Sequence, residues 1–150
     1  MEELKARGHS IIPECAREFK KAGILPQDDP VAFESLLLAT QFNREYIIPE
    51  EKTVFIDGGY VDMYAFSKYF GVSNMVPSYP FMKYDKFFIL DRLPTHTNDD
   101  ERNESKLEAE AIHGYIIKEA IDSGYDIVSV PVLPVKERVD FIIKEITKDI

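Results

Sequence analysis

The chain has 150 residues, 45% of them hydrophobic and 30% charged, which indicates one globular domain over residues 1–150 and argues against a disordered or fibrous chain. Its 27 acidic and 18 basic residues give a net charge of -9, which disfavours general nucleic-acid binding because it repels phosphate backbones. The single cysteine rules out an internal disulfide. No apolar run is long enough for a membrane span, and the amino terminus is acidic where a signal peptide is basic. We therefore expect a cytoplasmic protein.

Short apolar runs alternate with longer amphipathic stretches along the chain. This alternation is typical of an α/β domain with a mainly parallel sheet. The runs are rich in β-branched or aromatic residues and end at polar or turn residues, as strands buried on both faces do. Four strands are predicted, at residues 9–12, 53–57, 86–90 and 126–130.

Helix boundaries are marked by capping residues and glycines. Asp29 followed by Pro30 predicts a helix start, because aspartate is a good N-cap and proline fits the first helical position. Gly8, Gly23 and Gly124 predict helix ends. The predicted helices include residues 1–7, a helix opening at Asp29, a long helix from about Asn103 and a last helix with apolar residues over 135–146.

Glu14 and Arg17 are the first candidate site residues, because they follow the first strand directly. Ligands of open α/β folds bind at the carboxyl edge of the sheet. Glu14 could act there as a catalytic group that accepts a hydroxyl proton or could bind a ribose, and Arg17 could bind a phosphate of the substrate. The alternative, which the spacing alone favours, is a surface ion pair at a helix start.

Asp57 ends the strand at 53–57 and is followed by Gly58 and Gly59. An aspartate at this point suits Mg²⁺, because a hard cation prefers carboxylate oxygens. The alternative is an ordinary Asp-Gly turn. Asp62 could contact substrate, or it could lie in the first turn of a helix and interact with the helix dipole.

Residues 91–106 are polar and rich in turn formers, which predicts a mobile, lid-like loop. Arg92 and Arg102 lie on either side of an acidic cluster in this stretch. Arginines on a lid could close over a transferring phosphoryl group and stabilise its charge while water is excluded. A solvated charged loop is the alternative, and the composition alone favours it.

The glycines argue against a Walker A loop within these residues. That loop requires G-x-x-x-x-G-K-[ST], because its backbone N–H groups surround the phosphates while the lysine reaches the terminal ones. None of the seven glycines is followed by lysine, and the G-x-G-x-x-G pattern is also absent. Histidine spacing gives no zinc pattern, and the lack of G-x-S-x-G makes acyl transfer a weak hypothesis.

Taken in order, the segments of the chain resemble the P-loop AAA domain found in the ribosylnicotinamide-kinase half of the bacterial NAD regulator and in related predicted ATPases. The resemblance covers nearly the whole chain. It departs at Gly58, where the family usually carries the arginine of an Asp-Arg-Gly motif. The segments that carry the resemblance are 6–8, 14–18, 25–33, 54–59 with Asp62, 84–90, 101–105, 124–131 and 135–139.

This resemblance implies a P-loop NTPase-like fold in three layers, with a parallel sheet of order 2-3-1-4-5 and helices on both faces. It also implies that the first, central strand and the Walker A loop are missing from these residues. Two interior strand edges would then lack partners. Three alternatives follow: the start codon is misassigned, the second and third predicted strands pair directly, or another copy of the chain supplies a swapped element.

The resemblance further implies ATP and Mg²⁺ as cofactors, and phosphoryl transfer by a small-molecule or nucleoside kinase or an ATPase. Without the Walker A loop we expect no ATPase activity. The alternatives are a non-catalytic or regulatory module that binds a nucleotide or another small molecule, and a homo-oligomeric interaction protein. Under the first hypothesis Glu14 and Arg102 are catalytic, Arg17, Arg92 and Asp62 bind substrate, and Asp57 binds the metal.

Overall fold

The computed structural model of the chain describes residues 1–79, 84–92 and 105–148. Helices and parallel strands alternate within these residues, which confirms the α/β class. None of the described helices is long and apolar enough to span a bilayer. The elements are α1 Glu2–Ala6, β1 Ser10–Ile12, α2 Cys15–Lys21, α3 Pro30–Tyr46, β2 Val54–Ile56, α4 Tyr60–Tyr69, β3 Phe87–Leu90, α5 Lys106–Asp122, β4 Ile127–Val130 and α6 Val135–Thr147.

The helix boundaries follow the predicted capping signals. The Asp29 side chain accepts a hydrogen bond of 2.9 Å from a backbone N–H in the first turn of α3, and Pro30 is the first residue of that helix. Gly8, Gly23 and Gly124 have positive φ angles just after α1, α2 and α5. These local predictions are confirmed because each signal acts within a few residues of the helix end.

The described part of α5 begins at Lys106. The Ser105 hydroxyl accepts a hydrogen bond from the Glu108 N–H at 3.2 Å, and the Glu108 carboxylate accepts one from the Ser105 N–H at 2.8 Å. This reciprocal capping box stabilises the helix start. The start predicted near Asn103, Arg102 and most of the predicted lid fall within residues 93–104, which lie outside the described residues.

The strands form two separate parallel pairs. β1 pairs with β2 with Ser10 opposite Val54, and β3 pairs with β4 with Phe87 opposite Ile127. Among the described residues β2 and β3 are not hydrogen-bonded to each other. Within the described residues the alternative in which the second and third strands pair directly is therefore wrong, and the three-layer sheet stays a prediction.

Tyr84 and α4 connect the two strand pairs. Tyr84, three residues before β3, places its hydroxyl 2.8 Å from the backbone N of Tyr60, the first residue of α4. Val61 of α4 and Phe87 of β3 also belong to one buried cluster. A helix and a polar contact thus connect the two pairs.

The apolar core lies mainly between helices. Every residue of β1 and β2 is only half-buried, whereas strands of a covered parallel sheet are buried on both faces. α4 contributes to two clusters, one with α2 and α3 and one with β3 and α5. The first cluster contains Cys15, Phe33, Leu37, Leu38, Tyr60 and Met63, and the second contains Val61, Phe87 and Ala120.

Candidate functional site at the ends of β1 and β2

The carboxyl ends of β1 and β2 bring several predicted site residues together. The backbone N–H of Asp57 donates to the Ile12 carbonyl at 2.9 Å, so the chain leaves both strands at the same place. Glu14 follows Ile12 by two residues, and a Cβ atom added to Gly58 would lie 3.8 Å from the Glu14 Cγ. Glu14 and the turn at Asp57 are therefore neighbours at this edge.

Glu14 and Arg17 lie at the start of α2, where Glu14 is the N-cap residue. Arg17 Nε donates to Glu14 Oε2 at 3.4 Å, and the two side chains are 37% and 32% exposed. The surface ion pair considered from the sequence is therefore present. Such a long, partly exposed pair adds little to the free energy of unfolding, about 0–1 kcal/mol.

The turn after Asp57 requires glycine at both following positions. Gly58 has a φ angle of +65°, a left-handed conformation that strains residues with a Cβ atom. This conformation agrees with glycine at the place where the family usually has arginine. At Gly59 the reason is space, because an added Cβ would lie 2.6 Å from the Tyr84 hydroxyl and 3.5 Å from Glu45 Oε1.

A buried polar cluster behind this turn was missed by sequence reasoning. Glu45 of α3 is only 3% exposed. Its Oε1 accepts hydrogen bonds from Gln41 Nε2 at 2.7 Å and from the Tyr60 N–H at 3.0 Å, and its Oε2 accepts one from the Tyr84 hydroxyl at 2.8 Å. The four-residue spacing of Gln41 and Glu45 is visible in the sequence, but it is equally typical of an exposed helix face.

Burial controls the ionisation of this cluster. Loss of solvent raises the pKa of Glu45, although its three hydrogen-bond donors partly oppose the shift. Desolvation and the nearby Glu45 carboxylate also raise the pKa of the Tyr84 phenol. Tyr84 is consequently a neutral donor to Glu45 at physiological pH.

Asp62 lies in the first turn of α4, as one of the two sequence alternatives predicted. Its Oδ2 accepts a hydrogen bond of 3.1 Å from the Gly59 N–H, so the carboxylate caps its own helix. Desolvation, with smaller contributions from Asp57 and Glu45, raises the pKa of Asp62 to about 7. A role in substrate binding remains a prediction.

Arg92 lies on the other strand pair. It follows Asp91 at the end of β3, and its Nη1 is 3.9 Å from Glu110 Oε1 on α5. The Asp91 carboxylate accepts a hydrogen bond from the Ser129 hydroxyl at 2.5 Å. Burial, together with the charge of Arg92, lowers the pKa of the adjacent His113. These residues form a second polar group, and their proposed lid role remains a prediction.

The residues present do not form a Walker A cradle for the triphosphate of ATP. The sequence has no Gly-Lys pair, and the first N–H groups of α4 are bound by Asp62 and Glu45, which occupy the place a phosphate would need at this helix end. Over residues 1–79, 84–92 and 105–148, no group of three or more His, Cys, Asp or Glu side chains is arranged to hold a metal ion. We therefore assign no catalytic step to ATP or Mg²⁺, and the metal role of Asp57 remains a prediction.

Comparison with known proteins gives a family. A family model described as AAA domain matches residues 1–138, which extend from α1 into α6. No curated protein and no solved structure matches the chain significantly. The match agrees with the P-loop-like resemblance of the sequence at the level of the family. The chain therefore belongs to the AAA domain family.

Proposed function

We propose that this chain is a nucleotide-binding domain of P-loop NTPase type, related to the ribosylnicotinamide-kinase half of the bacterial NAD regulator, and that these residues recognise a nucleotide or nucleoside without transferring a phosphoryl group. The observation that carries this proposal is the juxtaposition of Glu14, Arg17 and the Asp57 turn at the carboxyl ends of two paired parallel strands. This edge is the ligand-binding place of open α/β folds.

The observed strand pairs support the relationship. In the order 2-3-1-4-5, strands two and three are neighbours, and so are strands four and five, with strand one between the two pairs. The pairs β1–β2 and β3–β4 have these same neighbours. We propose that they correspond to the two halves of a three-layer P-loop NTPase-like sheet.

Each candidate residue has a role in this proposal. Arg17 binds a phosphate through its guanidinium, which is the local positive charge that an anionic ligand requires on a chain with a net charge of -9. Glu14 accepts a hydrogen bond from a ribose hydroxyl. Asp57, which is exposed, contributes a carboxylate to the same edge.

The proposal excludes efficient turnover by these residues. Phosphoryl transfer depends on preorganised positive charge around the phosphates, and the Walker A backbone and lysine that supply it are absent from the sequence. We expect nucleotide binding that is independent of Mg²⁺, and no measurable ATP hydrolysis. Turnover comparable to that of ordinary kinases would contradict this part of the proposal.

Calorimetric titration of the chain with ATP, with and without Mg²⁺, tests the proposal. Replacing the site arginine, Arg17→Ala, is expected to weaken ATP binding by about tenfold, because a charge-assisted contact is lost. Arg7→Ala is the matched control, because Arg7 also pairs with acidic side chains but lies between α1 and α6, before β1 begins. Absence of ATP binding to the unmodified chain, or equal effects of the two substitutions, would contradict the proposal.

Self-association is a second candidate function, and the strand edges that have no partner among the described residues favour it. Because Asp57 donates its N–H to β1, the N–H and C=O groups of Val54 and Ile56 point away from β1. By the same alternation, Phe88 and Leu90 lie on the free edge of β3. Such edges can pair with another chain. Sedimentation at several protein concentrations tests this candidate, and a strict monomer would contradict it.

A further inference from the structure

Glu45 connects three segments that are distant in the sequence. It belongs to α3, yet its carboxylate accepts hydrogen bonds from the backbone of Tyr60, 15 residues later, and from the hydroxyl of Tyr84, 39 residues later. A buried carboxylate is unfavourable unless hydrogen bonds compensate for lost solvent. Gln41, Tyr60 and Tyr84 supply that compensation from three directions.

The turn that carries Asp57 is held at both ends. At its start, the Asp57 N–H donates to the Ile12 carbonyl of β1 at 2.9 Å. At its end, the Tyr60 N–H donates to Glu45 at 3.0 Å. The two residues between these anchors are glycines, which have no side chains that could hold the turn by packing. The path of the turn therefore depends on backbone hydrogen bonds, which also include the Gly59 N–H bond to Asp62 at 3.1 Å and a second acceptor for the Tyr60 N–H, the Tyr84 hydroxyl at 2.8 Å.

The shape of the turn is matched to the carboxylate. Gly59 leaves only enough space for Glu45 and the Tyr84 hydroxyl to approach the backbone. An apolar side chain at position 45 would fill similar volume, but it would leave the Tyr60 N–H and the Tyr84 hydroxyl without this acceptor. The contact therefore specifies one position of the turn, which burial of an apolar group would not do.

We propose that Glu45 is a positioning residue for Asp57, and that it acts by holding the β2–α4 turn through Tyr60 while Tyr84 fixes the second carboxylate oxygen. The expected effect on ligand binding rests on the proposed function, in which Asp57 is one of the groups at the ligand-binding edge. The geometric part stands on the hydrogen bonds alone and has its own test.

The geometric part is tested without a ligand, by NMR and amide hydrogen exchange of the full chain. In Glu45→Gln an amide nitrogen, which cannot accept, replaces one of the two carboxylate oxygens. Tyr84→Phe keeps the ring but removes both the donor to Glu45 Oε2 and a direct acceptor of the Tyr60 N–H. In both variants we expect the Tyr60 amide to exchange about tenfold faster, and the Gly58 signals to shift, because a hydrogen bond that holds the turn is lost. Unchanged Tyr60 exchange in Glu45→Gln would overturn the proposal whatever Tyr84→Phe shows, because the Tyr84 hydroxyl also accepts directly from the Tyr60 N–H.

Glu34→Gln is the matched control. Glu34 also lies on α3 and is 3% exposed, but it accepts its hydrogen bond from the hydroxyl of Ser67, far along α4 from the turn. We expect the signals of Gly58 and Tyr60 to remain unchanged in this variant. Equal effects of Glu34→Gln and Glu45→Gln would show a general consequence of removing a buried carboxylate, and would overturn the positioning role.

Titration with ATP connects the turn to the ligand. Glu45→Gln and Tyr84→Phe should each weaken ATP binding by about tenfold, whereas Glu34→Gln should leave it unchanged. The double variant Asp57→Asn with Glu45→Gln should bind ATP as tightly as Asp57→Asn alone, because Glu45 acts through Asp57. If the losses of ATP-binding free energy from Asp57→Asn and Glu45→Gln add fully in the double variant, the link to Asp57 is overturned. If the unmodified chain binds no ATP, the proposed function fails, and Tyr60 exchange alone decides whether Glu45 positions the turn.

Discussion

The two faces of α4 bury acidic side chains in different ways. On the face toward α3, Glu34 and Glu45 receive hydrogen bonds from neutral groups, which include the hydroxyls of Ser67 and Tyr84. On the face toward α5, the buried Glu119 pairs with the ammonium group of Lys68 at 2.5 Å. Desolvation is the largest effect on the pKa of Glu34, and the Ser67 hydrogen bond and the charge of Lys20 oppose it only in part, so the first arrangement is sensitive to pH. The second arrangement depends on its ion pair.

The largest expected effect is the pH dependence of the α3 face. Burial raises the pKa of Glu34 from 4.5 to about 7. The folded chain then binds more protons than the unfolded chain between these values, so its free energy of unfolding should decrease as pH rises from about 4.5 to about 7, by up to about 3 kcal/mol. Urea unfolding at about pH 5 and about pH 8 measures this change.

Substitution separates Glu34 from other groups that titrate in the same range, such as Asp62. Glu34→Gln should make the pH dependence of the free energy of unfolding less steep, because the neutral amide carries no proton to lose. A Glu34→Gln profile as steep as that of the unmodified chain would contradict the assignment.

Gly59→Ala tests the close packing on the α3 face. The added Cβ would lie 2.6 Å from the Tyr84 hydroxyl, so the ring or the turn must move and the contacts to Glu45 weaken. We expect the free energy of unfolding to fall by about 2–3 kcal/mol. Gly114→Ala on α5 is the control, since nothing lies within 4 Å of its added Cβ, and it should stabilise the helix by about 1 kcal/mol. Urea unfolding compares the two, and equal stabilities would contradict the packing argument.

Lys68→Met tests the α5 face. The substitution keeps much of the apolar stem of the side chain but removes the partner of Glu119 and the cation above the Tyr64 ring. Because Glu119 stays buried while Lys68 is 36% exposed, we expect a loss of about 1–2 kcal/mol, less than for a fully buried pair. The double variant with Glu119→Gln should recover part of this loss in thermal unfolding, and no recovery would argue against the ion pair as its cause.

The smallest effect on stability is expected at the candidate site itself. Arg17→Ala removes a partly exposed ion pair of 3.4 Å, so the free energy of unfolding should change by less than about 1 kcal/mol. Its effect should instead appear in ligand binding. A large loss of stability would show that Arg17 is mainly structural, and chemical unfolding beside the ATP titration distinguishes the two outcomes.

Comparison of the strand ends shows how far the sequence could locate the site. Asp57 and Asp91 each follow a strand directly, and each donates its backbone N–H to the neighbouring strand, at 2.9 Å and 2.8 Å. Of the two, only Asp57 is followed by two glycines and then by a backbone N–H, that of Tyr60, which donates to the buried carboxylate of Glu45. Its neighbours Glu14 and Gly58 were predicted from sequence order, whereas Glu45 could not be, because its partners are 15 and 39 residues away.

The amino-acid sequence alone determined the α/β class, the four strands to within one residue at each end, and the helix ends marked by Asp29 and the glycines. Those features depend on capping, backbone conformation and apolar patterning, which act over a few residues. Only the tertiary structure decided that β2 and β3 are not hydrogen-bonded to each other among the described residues, and that Glu45 supports the Asp57 turn. Both depend on which distant segments exclude water together, and a local pattern does not specify that.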